Sequence, residues 1–446
     1  MSIQIDTREA GFAALADALR QAMRPGEDFT LWYSAEASDF IRFNHARVRQ
    51  AGHVSQAGAT LQLIAAERQA QMAVTLSGQP DEDRQRLADG LERLRAVIGQ
   101  LPPDPYLMPD RTPWQRRHVD TQPLPDPAAV LPCISAAAEG LDLVGIYAAG
   151  PLYRGFANSW GAFGWHSAHC FNFDFSLFHA NGQAVKADYA GQGWNDDEFH
   201  RRFAAARAQL EHLGKPLRVL APGGYRAYIA PAALEEITGM LCWGGFSARA
   251  LATKESPLQR LDGDGARFSP LLGLHEQVAG ALSPAFTAEG SPRSDVALIE
   301  QGRLTGRLVG SRSAREYGLA GNGASGDESP QALVMDAGTL PEADALAALG
   351  TGLYIGNLWY LNWSDLPAAR ITGMTRFATF WVEDGRIQAP VSTMRFDDSL
   401  FDLFGEQLEA LTAERQLRLS ASTYGERQTL SSLLPGALVK RLQLTL

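Results

Sequence analysis

Short strand-like segments joined by tight turns constrain the fold of this chain more than any other feature. Asn181-Gly182, Glu300-Gln-Gly302 and Glu383-Asp-Gly385 each lie between two apolar-rich runs, a pattern typical of a β-hairpin. Helical spacing of apolar residues is confined to separate segments such as 8–23 and 81–101. Antiparallel hairpins with segregated helices predict an α+β fold and disfavour a doubly wound parallel sheet.

The length of 446 residues predicts two or three domains with ample material for a core. Gly214-Lys-Pro216 breaks a predicted helix and marks the best boundary. The sequence therefore predicts an N-terminal domain of helices and meandering strands over 1–214, with an extended connection near 102–127. It predicts a second domain over 215–446, mostly antiparallel β with a few helices.

Charge and cysteine content narrow the classes of partner and compartment. The net charge of −10 disfavours a general affinity for nucleic acid or for an anionic membrane. Apolar runs fall short of the roughly 20 residues that span a bilayer, and the first residues lack the apolar core of a signal peptide. Three scattered cysteines without a Cys-x-x-Cys pair fit a reducing compartment. We expect a soluble, cytoplasmic protein.

The stretch 228–246 carries the most unusual chemistry. Pro231 starts a helix whose apolar residues recur at helical spacing, and Gly244-Gly245 ends it. Glu235 and Glu236 are adjacent carboxylates on this mostly apolar helix, and Met240 follows one turn later. An unpaired buried charge is costly, so the glutamates form either a functional pair or part of a solvent-facing surface.

A second acidic motif, His275-Glu276, resembles the start of a zinc-protease helix. Such a helix needs another histidine one turn later, where this chain has Ala279 and Gly280. The segment also lies between Pro270 and Pro284. We interpret it as a decoy, although a divergent metal enzyme that uses Glu235, Glu236 and His275 stays an open alternative.

Aromatic residues crowd the C-terminal half of the sequence. Core packing accounts for most of them, but tryptophan and tyrosine are also enriched at contact surfaces. The candidates for a peptide-binding or interface surface are Trp243, Phe246, Trp359, Tyr360 and Trp363.

Four motifs together resemble the TldD/PmbA family of two-subunit bacterial zinc metallopeptidases, also described as modulators of DNA gyrase. The most specific match is Phe380-Trp-Val-Glu-Asp-Gly-Arg-Ile-Gln-Ala-Pro-Val391, which is similar to the family's F-W-I-E-N-G-E-I-x-x-P-V. The other matches are Ile41 to Gln50, Ile299 to Gly318 and Gly350 to Trp359. The resemblance extends over most of the chain.

The resemblance implies a degenerate metal site. In the family's catalytic subunit a helix carries His-Glu-x-x-x-His, and a cysteine near the C-terminus is the third zinc ligand. By position, Glu235 replaces the first histidine, Glu236 matches the general base and Met240 replaces the second histidine. The last cysteine of this chain is Cys242, and a thioether is a poor zinc ligand. We therefore expect no metal in this chain and no confident catalytic residue.

The resemblance further implies the non-catalytic, TldE/PmbA-type subunit of a heterodimer. Zinc is then expected in a TldD-like catalytic partner, and unfolded peptides are expected to bind as an added strand. A homodimer in isolation stays possible. The alternatives are a peptide-binding or regulatory module without proteolysis, and an independent, divergent metallohydrolase.

Overall fold

The structure is a computed structural model that describes residues 7–263 and 265–446. Its strands form one sheet in the N-terminal half and a second in the C-terminal half. The first sheet contains β1 (Glu27–Asn44), β2 (Arg47–Ala65), β3 (Arg68–Leu76), β4 (Gln115–Val119), β5 (Asp142–Asn158), β6 (Phe163–Phe178) and β7 (Ala184–Gly191). The order is β3-β2-β1-β5-β6-β4, and β7 also pairs with β6.

The strands β1 and β2 are longer than the sequence analysis predicts. The sequence segments 29–33, 40–44, 48–54 and 59–65 each read as a short strand, but the structure has two long antiparallel strands that pair along their whole length. The predicted break over 34–39 contains no glycine or proline, so nothing in its backbone stops the ladder. The turn between the strands lies at His45 and Ala46, which both have positive φ.

Two pairs of helices cover the first sheet. They are α1 (Thr7–Ala22), α2 (Pro80–Ile98), α3 (Pro127–Ala137) and α4 (Asp196–Leu213). The helix α4 begins at Asn195, whose side chain accepts a hydrogen bond from the Glu198 backbone N–H at 2.9 Å. That contact is the predicted half of a capping box. The other half is absent from the described contacts of Glu198, whose carboxylate binds Arg201 and Arg202 instead.

The second sheet is larger and mostly antiparallel. Its strands are β8 (Gly223–Ile229), β9 (Leu274–Glu276), β10 (Val296–Glu300), β11 (Arg303–Leu304), β12 (Ala332–Met335), β13 (Gly352–Asp365), β14 (Arg370–Glu383), β15 (Arg386–Pro390), β16 (Arg395–Ser399), β17 (Leu408–Leu419) and β18 (Ser431–Leu444). The order is β11-β10-β9-β12-β18-β16-β14-β13-β8, with β15 on β14 and β17 on β18. The predicted α+β class is confirmed.

The helices of the second half are short. They are α5 (Pro231–Leu241), α6 (Ala248–Ala252), α7 (Gln259–Asp262), α8 (Ser311–Tyr317), a 3₁₀ turn (Glu342–Asp344), α9 (Ala345–Leu349) and α10 (Leu400–Leu403). The largest apolar core of the molecule surrounds α5. No helix in the described part of the chain is long and apolar enough to cross a membrane.

Two predicted elements of this half are wrong. A helix is expected over 399–411, but α10 ends at Leu403 and β17 begins at Leu408, because the segment pairs with β18. The apolar spacing there fits a helix, and sheet pairing overrides it. Val219 to Ala221 is expected to be a strand, yet the segment lies outside any strand and Val219 is 77% exposed.

The two sheets meet at the elements that hold the candidate site. The sequence places a domain boundary at Gly214; α4 ends at Leu213 and β8 begins at Gly223. The strand β7 of the first sheet contacts β14 and β17 of the second, and α4 contacts β14 and β15. The helix α5 packs on β13, β17 and β18 and therefore lies close to this junction.

Candidate functional site

The helix α5 is held by its apolar face. Pro231 occupies its first turn, as predicted, and the helix ends at Leu241, with Cys242 as its C-terminal cap. Ala233, Leu234, Ile237 and Leu241 are fully buried. Because this face is fixed in the core, the positions of the remaining side chains around the helix are fixed too.

Glu235 and Met240 lie on different sides of α5. Met240 is 2% exposed and packs in the core, whereas Glu235 reaches the neighbouring strands. The two side chains at the family's histidine positions therefore do not converge on one point.

Glu235 forms the centre of an ion-pair cluster between the two halves of the molecule. Arg418 of β17 donates from Nε to Glu235 Oε2 at 2.9 Å. The same guanidinium contacts Asp188 of β7 through Nη1. Ser432 of β18 donates from Oγ to Glu235 Oε1 at 3.4 Å. One arginine thus joins carboxylates from both halves of the molecule.

Glu236 lies beside this cluster and reaches water. The protein packed around it still removes part of its hydration, which raises the pKa of Glu236, and the positive charge of Lys186 opposes the rise. Lys186 in turn pairs with Asp174 through Nζ and Oδ2 at 3.3 Å. Both of those residues belong to the first sheet, so Glu236 also faces charges from the other half of the molecule.

The cluster contains four carboxylates and two cations. The carboxylates are Asp174, Asp188, Glu235 and Glu236, and the cations are Lys186 and Arg418. Burial and the Glu236 charge raise the pKa of Glu235 to about 7. Burial lowers the pKa of Arg418 to about 10.

Glu235 is surrounded by protein but is still in contact with water. Its side chain is 34% exposed, since it lies in a recess that water reaches from one side. The Arg418 guanidinium favours the charged carboxylate and so works against the rise in pKa. Burial and the Arg418 guanidinium thus act on the pKa of Glu235 in opposite directions.

These residues do not fit a zinc ion. A catalytic zinc site needs three protein ligands from histidine, cysteine, aspartate or glutamate. Within residues 7–263 and 265–446, no group of three such side chains is arranged to hold a metal. Met240 is turned into the core, and Arg418 already occupies one oxygen of Glu235. Burial raises the pKa of Cys242 to about 12, so its thiol keeps its proton.

The decoy motif lies elsewhere, on a strand. His275 and Glu276 are in β9, where neighbouring side chains point to opposite faces. Glu276 is buried and pairs with Arg293, and His275 Nε2 lies 3.1 Å from Asp336 Oδ1. The two residues therefore do not share a site with each other or with Glu235, which leaves the divergent metal enzyme without its third group.

The aromatic candidates divide into a core set and an exposed set. Phe246 is 1% exposed in the apolar core, so its assignment to a contact surface is corrected to a packing role. Trp363 is partly buried against the same core. Trp243, Trp359 and Tyr360 are exposed.

Trp359 and Tyr360 lie on a strand edge that is open to solvent. The strand β13 pairs with β8 only over Leu353 to Ile355. Past that point, no strand of the described chain pairs with its outer edge. Arg376 of β14 stacks over the Trp359 ring at 4.1 Å and over the Phe377 ring at 5.3 Å. We call Trp359, Tyr360, Arg376 and Phe377 the aromatic edge.

The backbone of the aromatic edge is strained. Tyr360 has φ of 58° and Phe377 has φ of 61°. Bulky side chains rarely adopt this left-handed region, and such strain concentrates at functional positions. A bulge follows Trp359, where the register between β13 and β14 shifts.

Sequence reasoning finds α5 but misses its partners. Lys186, Asp188 and Arg418 belong to alternating polar and apolar runs, a pattern that fits any half-buried strand. Arg418 lies 230 positions from Asp188 along the chain. No spacing rule connects such residues, so the ion-pair cluster emerges only from the fold.

Comparison with known proteins identifies the family. The family model for the PmbA/TldA metallopeptidase C-terminal domain matches residues 222–445. The metalloprotease PmbA of Escherichia coli O157:H7 is 32% identical over 125 residues, which are 28% of this chain and 27% of that protein. The aligned segment thus spans well under half the length of this curated relative.

Solved structures extend the similarity of fold to nearly the whole chain. The structure of TldE from Thermococcus kodakarensis aligns with 96% of this chain and with 100% of its own length. The TM-score is 0.77 and the sequence identity is 14%. A protein from Thermotoga maritima that is described as a modulator of a DNA gyrase aligns with 97% of this chain and with 100% of its own length. The TM-score is 0.77 and the sequence identity is 15%. At such identities the likeness concerns the fold alone. Because the domain match spans about half of the 446 residues, the chain belongs to the PmbA/TldD metallopeptidase family.

Proposed function

We propose that this chain is the non-catalytic, TldE-like subunit of a cytoplasmic, two-chain zinc metallopeptidase that processes unfolded peptides. The zinc ion and the general base reside in a TldD-like partner chain. This chain contributes cavity walls and contacts to the peptide. Its own α5 is a pseudo-active site whose polar groups bind and orient the peptide but do not cleave it.

The donor set around α5 is the observation that carries this proposal. Arg418 holds Glu235, and the core holds Met240. A zinc-bound water needs a base beside it; Glu236 stands at the base's position, but the described residues around it offer no metal cluster. The family's chemistry therefore requires a second chain.

The aromatic edge supports the partnership. Exposed strand edges template pairing with another chain, and Trp, Tyr and Arg are the residues most enriched at the centre of protein interfaces. The aromatic edge combines both features on β13, with Tyr360 75% exposed. An unprotected edge of this kind is expected to be covered in the working assembly.

The test compares the chain alone with the chain plus a TldD-like protein that has an intact His-Glu-x-x-x-His helix. We expect the purified chain to retain no stoichiometric zinc by elemental analysis and to leave an unfolded peptide uncleaved. The mixture should form a complex on size-exclusion chromatography and should cleave the peptide. Stoichiometric zinc and peptidase activity in the chain alone would overturn the proposal.

A matched pair of tyrosine variants tests whether the aromatic edge contacts the partner chain. Tyr360→Ala removes an exposed ring of the aromatic edge, and Tyr424→Ala removes a ring that is 96% exposed on the loop between β17 and β18. We expect Tyr360→Ala to weaken association by about tenfold or more, since interface hot spots contribute about 2 kcal/mol or more. Tyr424→Ala should associate normally. Equal association of the two variants with the partner chain would show that the aromatic edge is not part of the interface.

A further inference from the structure

A cavity of about 290 Å³ lies between the two halves of the molecule, at the N-terminal end of α5. The first half contributes β7 and α4 to its walls, and the second half contributes β8, β13, β17, the start of α5, the 3₁₀ turn and α9. Its volume is at the small end of the roughly 300–1,000 Å³ found for ligand sites. The cavity therefore suits a ligand of a few heavy atoms or the end of a larger one.

The positive end of α5 faces this cavity. Ala230, Pro231 and Ala232 line the wall, and Ala230 provides no capping side chain. Pro231 has no N–H, and the Ala230 N–H donates to Ile355 O at 2.9 Å. The free N–H groups of the first turn are therefore those of Ala232 and Ala233. Together with the helix dipole they favour an anion at this position.

Two buried polar side chains lack a partner in the same cavity. Asn357 is 8% exposed and Tyr228 is 3% exposed, and both line the wall. Neither the Asn357 amide nor the Tyr228 hydroxyl has a hydrogen-bond partner among the residues that the structure describes. Buried polar groups are normally hydrogen-bonded, so these two groups indicate a ligand or water.

The fold directs Asn357 into the cavity through a β-bulge. The register of β13 against β14 shifts between Ile355 and Asn357. Ile355 and Leu358 remain in the core, while Tyr354 and Asn357 line the cavity. The Tyr354 hydroxyl accepts a hydrogen bond from Gln209 Nε2 at 3.0 Å, which leaves its own proton free to donate.

The acidic groups of the wall are already engaged. Asp188 is held by Arg418, and Glu342 accepts a hydrogen bond from Gln416 Nε2 at 3.0 Å. Burial raises the pKa of Tyr354 to about 12 and also raises the pKa of Tyr228, so both phenols keep their protons at neutral pH. The free polar groups of the cavity are therefore mainly hydrogen-bond donors.

Three further cations line the cavity, Lys186, Arg201 and Arg202, and they pair with Asp174 or Glu198. The rest of the wall is small and apolar. It consists largely of alanines, including Ala187, Ala205, Ala206, Ala343 and Ala345, together with Leu346. Such walls suit a short aliphatic group next to the anion. A ligand with a compact charged end and a small apolar body satisfies both parts of the cavity.

We propose that this cavity binds the carboxylate of an α-amino acid, either free or at the C-terminus of a peptide. The α5 N-terminus, the Asn357 amide and the two phenols supply the donors, and the alanine walls receive a small side chain. The peptide source deepens the proposed function and rests on it, whereas the chemistry of the cavity itself does not.

The experiment measures binding to the full chain alone, in buffer with a chelator, by isothermal titration calorimetry. The probes are acetyl-Ala-Ala with a free carboxylate, the same dipeptide with a C-terminal amide, and free alanine. We expect the carboxylate dipeptide to bind at least about tenfold more tightly than the amide, because a hydrogen bond to a charged group is worth about 1.5–3 kcal/mol. Binding of free alanine but not of the dipeptide would assign the free amino acid as the source.

Variants link the binding to the cavity. Asn357→Leu preserves volume, and Tyr228→Phe removes one hydroxyl. Each substitution should weaken the binding of acetyl-Ala-Ala with a free carboxylate by about tenfold. Tyr225→Phe is the matched control on the same strand, because its hydroxyl donates to Ala221 O at 2.7 Å outside the cavity.

Three results would overturn this inference: no binding of any probe, equal binding of acid and amide, or undiminished binding by both cavity variants. Stronger binding of inorganic phosphate than of either carboxylate probe would overturn it as well. Because no partner chain or metal is present, these outcomes are independent of peptide cleavage by the assembled pair. The proposed function can thus fail while the cavity still binds carboxylates, and the reverse also holds.

Discussion

Of the arginines that join the two halves of this molecule, Arg427 and Arg418 do so in opposite ways. Arg427, in the segment between β17 and β18, enters the first sheet and is buried. Its guanidinium donates to Ser38 Oγ and Gly150 O at 3.2 Å and to Cys170 O at 2.8 Å. All of these acceptors are neutral and belong to the opposite half.

Arg418 instead joins carboxylates. It contacts Asp188 and Glu235, and the recess around Glu235 remains open to water. Neutral acceptors in a dry site hold one geometry at all ordinary pH values. Carboxylates in a wet recess exchange protons and partners. The first junction is therefore sealed from water, and the second leaves charged groups in contact with it.

The largest effect is expected from Arg427→Met. The substitution leaves the Gly150 and Cys170 carbonyls and the Ser38 hydroxyl buried without their donor. Each buried unsatisfied group costs about 1–3 kcal/mol, so we expect a loss of about 3–5 kcal/mol in the free energy of unfolding. Urea denaturation followed by tryptophan fluorescence measures it. Arg386→Met, at an exposed position, should stay within about 0.5 kcal/mol of the parent.

A smaller loss is expected from Arg418→Met. Asp188 and Glu235 lose their shared cation, but water can solvate Glu235 in its recess. We expect a loss of about 1–3 kcal/mol, measured by the same denaturation. Adding Glu235→Gln to Arg418→Met should restore part of it, because the second change removes one unpaired charge. A loss as large as that of Arg427→Met would mean that both junctions are sealed from water, which contradicts the difference between Arg427 and Arg418.

The sequence predicts the elements near this second junction better than their contacts. Pro231 and the apolar spacing that follows it locate α5, and the turn at Asn181-Gly182 locates the hairpin of β6 and β7. Both signals are local, since proline and glycine restrict or free the backbone where they stand. The class of fold follows from such signals.

The contacts that define the site are not local. Arg418 belongs to β17, and the sequence from Gln416 onward predicts a strand there, but its alternating pattern does not show which strands or helices it meets. Asn357 reaches the cavity only because β13 bulges beside it. Register shifts and pairings across hundreds of residues depend on tertiary packing, so periodicity alone does not reveal them.

A pH dependence of stability should distinguish the two junctions further. The pKa of Glu235 is about 7 in the folded chain, against an ordinary value of 4.5. The folded state therefore binds more protons than the unfolded state between these values, and stability falls as pH rises from about 4.5 to about 7. Below about pH 4.5, Glu235 is protonated in both the folded and the unfolded state, so it does not make the free energy of unfolding depend on pH. Unfolding midpoints in urea across this range measure the effect.

Glu235→Gln should flatten this part of the stability profile, whereas Arg427→Met should lower the whole profile without flattening it. The matched control is Glu406→Gln, since Glu406 is exposed near β17 and should leave the slope unchanged. Identical slopes in the parent and in Glu235→Gln would mean that Arg418 keeps Glu235 charged throughout, and the recess would then resemble the sealed junction.

The smallest effect is expected from Ser432→Ala, which probes how finely the open junction is tuned. Ser432 Oγ donates to Glu235 at 3.4 Å, a long hydrogen bond that favours the charged carboxylate. Its loss should move the pKa of Glu235 further upward and should change stability by only about 0.5 kcal/mol. A carboxyl carbon NMR titration of ¹³C-labelled glutamate measures the shift, and Ser431→Ala, one residue earlier on β18, is the control. A downward shift would mean that Ser432 instead accepts a proton from Glu235, so that the carboxyl group is already neutral in the recess at neutral pH.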